Sequence, residues 1–111
     1  MRRAMLFSLF TALMISTAHA QTEPALPDWN AREHCERQNR MIGSESAVML
    51  RSCMDAEARA LNILRRDWES ASPGSRRTCI RQGETIRSLS YFMLNSCIQM
   101  ERDATRDLQR R

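Results

Sequence analysis

The sequence predicts an all-α protein built as two tandem helical hairpins, with four helices in the order short, long, short, long, stapled by two disulfides. Three observations predict it. The 111-residue chain carries four cysteines, at 35, 53, 79 and 97, and each successive pair has the spacing C-x17-C. A shift of 44 residues lays the chain on itself with 15 identities between residues 32 and 66. Apolar residues recur at steps of three and four, β-branched residues are sparse, and no stretch alternates with period two.

The first twenty residues stand apart from this pattern. Arg2 and Arg3 precede an apolar run from Ala4 to Ile15, and Ala18-His19-Ala20 closes it as a small-x-small triplet. Charge, apolar run and cleavage triplet in that order are the parts of a secretory signal peptide. The run is shorter than the ~20 residues a membrane-spanning helix needs. No cysteine follows the triplet, so no lipid anchor is expected there, and no later stretch is apolar enough to span a membrane. Cleavage after Ala20 would leave 21–111 as a single helical domain of two repeats, about 28–70 and 75–110, in the periplasm or outside the cell. A domain this small buries a limited core and often needs covalent help.

Charge excludes one class of partner. The chain has 17 basic and 13 acidic residues; without Arg2 and Arg3 the balance is 15 against 13, or about +2. Acidic and basic residues alternate along the chain, and the pairs Arg65-Arg66 and Arg76-Arg77 flank one turn without forming a larger basic cluster. A nucleic-acid groove needs a clustered basic face, so nucleic acid is not an expected partner.

An even number of cysteines in a short exported chain reads as a disulfide framework. Structural zinc would place its ligands in pairs two to four residues apart, and four free thiols suit an oxidising compartment poorly. Cys35 lies eight residues before Gly43 and Cys53 ten after it. Those are ~12 and ~15 Å along a helix, so a hairpin turning at Gly43 brings the two level. The favoured pairing is Cys35–Cys53 with Cys79–Cys97, each bridge closing a loop of roughly 20 residues worth about 3 kcal/mol. The alternative, Cys35–Cys97 with Cys53–Cys79, would clamp the copies to each other.

The first helix is expected near 28–42, with Asp28 as its cap. Gly43-Ser44 breaks it, and Ser44 can cap a long second helix near 45–70. Its stripe is Leu50, Met54, Glu57, Leu61, Leu64 and Trp68. Ser72-Pro73-Gly74-Ser75 separates the copies. A short third helix follows near 75–83, with Gly83 in the part of Gly43. The fourth, near 85–109, has the stripe Leu94, Cys97, Glu101, Ala104 and Leu108.

Few residues suggest chemistry. Glu57 and Glu101 occupy equivalent stripe positions, and a buried carboxylate needs a partner. Arg37 and Arg81 repeat likewise, so two buried Glu–Arg pairs are expected; the competing reading is a paired-carboxylate acid/base site. His34, beside Cys35, offers a Cys–His dyad only if Cys35 is free. Met41, Met49, Met54, Met93 and Met100 allow a copper reading but suit core filling better. Trp29, Trp68 and Tyr91-Phe92 either anchor a partner or plug the core ends. No phosphate loop, H-E-x-x-H or G-x-S-x-G is present. No catalytic residue, metal or cofactor is expected.

The phrase M-L-x-S-C-x-x-x-E-x-x-A, read at Met49–Ala60 and again at Met93–Ala104, together with C-x17-C, resembles small exported proteins of proteobacteria. In these a stretch similar to Ser90-Tyr91-Phe92-Met93-Leu94-Asn95-Ser96-Cys97 recurs beside paired cysteines. That likeness covers most of the chain after residue 20 and implies export without an activity. A looser likeness, carried by Cys53, Glu57 and Leu61-Asn62, is to the cysteine-stapled helical domain of lysozyme-inhibitor-like proteins of the LprI type. It implies inhibition of an envelope hydrolase such as lysozyme, although the cysteine spacing here is longer and Thr105-Arg106 stands where copy two would carry Leu-Asn. From the residues themselves the expectation is a non-enzymatic binding or structural module of the cell envelope, with an envelope protein as partner.

Overall fold

A computed structural model of the chain describes residues 24–111; the expected signal peptide at 1–20 lies outside the described residues. Helix α1 (Ala31–Met41) turns back into α2 (Ala47–Asp67), which runs into a single 3-10 turn (Trp68–Ser70). Helix α3 (Pro73–Thr85) turns back into α4 (Tyr91–Gln109). Among the described residues there is no strand, and no helix is long and apolar enough to cross a membrane. The all-α class and the two hairpins are as the sequence predicts. So is the favoured cysteine pairing: Cys35–Cys53 and Cys79–Cys97, with Cα atoms 5.8 and 5.6 Å apart, each close one hairpin.

The helix starts follow from side-chain caps. Asn30, Ser46, Ser72 and Ser90 each hold an extended backbone and accept a hydrogen bond from the amide three residues on, and Pro73 takes the first helical position of α3. Small oxygen-bearing residues do this because they satisfy an amide that has no partner inside the helix. The caps of α1 and α2 thus fall two residues beyond the expected Asp28 and Ser44. Ser44 is unavailable because its backbone belongs to the end of α1: its amide donates to the Asn39 carbonyl at 2.9 Å, beside Gly43 donating to Arg40.

The same closure ends α3, with a correction to the sequence reading. Ser88 donates to Gly83 and Arg87 to Glu84, one repeat on from Ser44 and Gly43. Arg87 therefore takes the part assigned to Gly83. Its φ of 54° matches the 67° of Gly43, a left-handed conformation that glycine adopts freely and a residue with a Cβ does not. Gly83 instead lies buried inside α3, where an added Cβ would come within 3.1 Å of the Trp29 ring and 3.2 Å of the Ser88 carbonyl.

The core sits off-centre. Leu64 and Trp68 of copy one meet Cys79, Tyr91, Leu94, Cys97 and Ile98 of copy two. Helices α2 and α4 carry this core and run in the same direction: Glu57 bonds to residues 90–92, and Arg102 reaches the carbonyl of Asp67 and the hydroxyl of Ser70. Contacting positions are thus about 34 residues apart, ten short of the repeat. One consequence overturns the stripe expected on α4. Ala60 and Leu64 are buried, but their counterparts Ala104 and Leu108 are exposed, Leu108 to 71%. Helix α1 adds only Cys35 to the buried set.

Two outcomes follow. Arg87→Gly should stabilise the protein by about 0.5–1 kcal/mol, a rise of roughly 2–6 °C in Tm, by relieving the left-handed strain net of glycine's greater unfolded freedom; thermal denaturation of the oxidised protein checks it. Replacing Cys35 and Cys53 together by Ala should expose the amides of 33–42 to rapid hydrogen exchange while those of 58–66 stay protected, because α1 is held chiefly by its bridge.

Candidate functional site

Two features of the hairpins bear on function: the joint between them and a groove beside it. At the joint, the Glu57 carboxylate is 2% exposed. It accepts from the Ser90 hydroxyl, from the Tyr91 amide at 2.7 Å and from the Phe92 amide at 3.2 Å, while Ser90 in turn accepts from the Met93 amide at 3.2 Å. The first three amides of α4 are therefore all satisfied, two of them by a residue from the other copy. A buried carboxylate is tolerable here because charge-assisted hydrogen bonds and the positive end of α4 replace its water.

This geometry corrects the expected ion pairs. Arg37 is exposed and bonds Glu33 at 2.7 Å on its own helix. Arg81 is exposed, and among the described residues it meets neither glutamate. Glu101 is only half-buried and accepts from the Ser75 hydroxyl at 3.2 Å, in the first turn of α3. The two glutamates serve different helix starts, so the paired-carboxylate reading has no shared site. Cys35 is bridged, which removes the dyad with His34. Among the described residues no cluster of three His, Cys, Asp or Glu could hold a metal ion.

The buried cation is one the sequence did not single out. Arg76 packs its guanidinium 5.9 Å from the centre of the Trp68 ring and donates to the carbonyls of Ala71 and Pro24. Its repeat partner Arg32 is exposed and pairs with Glu36. The Trp68 indole also donates to Pro24, so the segment entering α1 is tied to the turn between copies. At that turn Arg66, hydrogen-bonded to Asp67, holds the partly exposed Asp67 carboxyl below the usual carboxylate range.

The groove lies in the first hairpin, roofed on one side by the start of α4, and has a volume of about 520 Å³. Ile42, Met49, Phe92 and Met93 form its apolar rim, all substantially exposed. This departs from the core-filling role expected for the methionines and the end-plugging role expected for Phe92. His34 and Gln38 of α1 supply a polar edge, and the Cys53 sulfur and Glu57 lie below. A cavity this size suits one or two large side chains.

The second hairpin holds the same cleft in a different state. Gln82, Ile86, Met93, Cys97 and Met100 line it, one repeat on from Gln38, Ile42, Met49, Cys53 and Ala56. There Trp29 reaches in against Gly83, its ring centre 5.8 Å from that of Tyr91, and only about 60 Å³ remains. The Tyr91 hydroxyl fixes that indole's backbone, accepting from the Trp29 amide and donating to the Pro27 carbonyl at 2.9 Å. In the first hairpin Asn39 stands in place of Gly83, its side chain donating to the Ser46 carbonyl.

No protein-family model, curated protein or solved structure matches this chain.

The unequal glutamates give a direct test. Glu57→Gln turns one acceptor into a donor facing amide donors and should cost about 1–3 kcal/mol in denaturant unfolding. Glu101→Gln should stay within about 0.5 kcal/mol of the parent, since Glu101 is partly solvated.

Proposed function

We propose that this protein is an exported, non-enzymatic binding module of the cell envelope. In this reading the groove of the first hairpin receives a large apolar side chain, aromatic by preference, from a partner protein. One observation carries it: the equivalent cleft of the second hairpin already holds an indole, Trp29, while the groove at the first keeps an exposed rim of Met49, Phe92, Met93 and Ile42. Exposed methionine side chains are flexible and polarisable and adapt to varied apolar partners, and an aromatic ring adds a large contact area. The export half rests on the signal-like residues 1–20 and on two disulfides, which persist in oxidising compartments.

An inhibitor of a basic hydrolase would carry acidic residues on its contact surface. The groove's one carboxylate is Glu57, buried and bonded to α4, so the groove favours apolar capture. The test is retention of envelope proteins on the immobilised oxidised chain. A discrete partner should be retained, and Met49→Glu or Phe92→Glu should each weaken retention roughly 10–100-fold, the worth of one buried apolar side chain. Both residues are about half exposed, so the fold tolerates the change. Retention that neither substitution alters, or no retention at all, overturns the reading; loss of lysozyme activity at excess protein would move it to inhibition.

A further inference from the structure

We propose that the chain associates head to tail with further copies of itself, by repeating outside the molecule the joint that α2 and α4 form within it. The exposed end of α4 takes the start of a second copy's α2.

The internal joint is not reciprocal. Glu57, Ala60 and Leu64 of copy one receive Ser90, Tyr91, Leu94 and Ile98 of copy two, at a register ten residues short of the repeat. Ten residues along a helix is ~15 Å, so the operation joining the copies is a stagger that can be applied again. A heterologous contact of this kind leaves one unused surface at each end.

Both end surfaces are present: Glu101, Ala104 and Leu108 repeat the receiving residues, Glu101 now accepting from the Ser75 hydroxyl, while of the four entering residues Ser46 and Leu50 repeat Ser90 and Leu94, and Ala47 and Met54 stand for Tyr91 and Ile98. On α4 the receiving positions recur as Glu101, Ala104 and Leu108, of which Ala104 and Leu108 are exposed. On α2 the entering positions recur as Ser46, Leu50 and Met54, with Ser46 capping its helix as Ser90 caps α4. The amides of Tyr91 and Phe92 are met by Glu57, whereas among the described residues no protein group accepts from those of Ala47 and Val48. Applied once more, the stagger brings Glu101 to these two amides.

Charge agrees with the register. At the flank of the internal joint Asn95 faces a hollow formed with Ala56, Arg59, Ala60, Ile63 and Phe92. One repeat on in the sequence, Arg51 stands in the place of Asn95, and Met100, Asp103, Ala104 and Asp107 stand in the places of Ala56, Arg59, Ala60 and Ile63. The joint between chains would set one arginine between two aspartates. Those aspartates now hold only exposed local pairs, with Arg106 of α4 and with Arg111 just beyond it, which exchange at little cost. A second copy of this chain fits this surface because it presents Arg51 at the needed position.

Sedimentation equilibrium of the oxidised full chain, from micromolar to millimolar, tests the proposal through a charge swap. The parent's average mass should climb with concentration past two copies. Arg51→Asp and the double variant Asp103→Arg with Asp107→Arg should each, alone, associate at least roughly tenfold more weakly. Mixed in equal amounts they should regain the parent's behaviour, since every joint between unlike chains is again complementary. All three changes lie on exposed positions, and unaltered helical circular dichroism verifies the fold. A parent that stays monomeric throughout, an assembly that stops at two copies, variants that associate like the parent, or a mixture that fails to recover would each overturn the proposal.

Discussion

The architecture depends on one carboxylate. Glu57 stands in an apolar stripe and meets the first turn of α4, and that contact sets the register between two hairpins that also share an apolar core and the turn at residues 68–72. A slip of one helical turn in either direction would bury a charge against apolar side chains and leave the amides of Tyr91 and Phe92 without acceptors. Each penalty is comparable to a sizeable fraction of a small domain's stability. Apolar contacts such as Leu64 against Leu94 and Ile98 supply most of the driving force. They are tolerant of sliding, so the polar contact selects the arrangement that the apolar ones stabilise.

Much of the fold was legible because it is governed by local rules. Helical spacing, the breaks at Gly43 and at Ser72-Pro73-Gly74-Ser75, and equal cysteine separations each speak about a few neighbouring residues, and they led to the hairpins and to the pairing within each. The cap at Ser46 rather than Ser44 was missed because the backbone of Ser44 serves the preceding helix, a competition that residue preference alone does not show. Arg87 was missed because nothing in its letter marks a left-handed backbone; only its alignment with Gly43 does, and Gly83 drew attention away.

The site was less legible, for a reason that lies in the repeat. Fifteen identities suggest two equal halves, yet equal residues meet unequal surroundings. The anomaly at Glu57 was visible as a charge in an apolar stripe, but its partners are main-chain amides and a serine, which leave no charged letter to pair with. Arg37 and Arg81 answered the pattern and not the geometry. The groove's rim was missed for a different reason: Met49 and Phe92 lie beside the expected stripes and not on them, and residue types that favour burial outweighed that position.

Consecutive pairing of the cysteines bears on how the chain matures. Cys35 and Cys53 are both available once the first hairpin has emerged from whatever synthesises or translocates the chain, before Cys79 follows. An oxidant that joins cysteines in the order they appear would make the native bridge first and then the second, without passing through a mispaired species. Under such an oxidant the four sulfurs would need no later reshuffling, the slow step common to small disulfide-rich proteins.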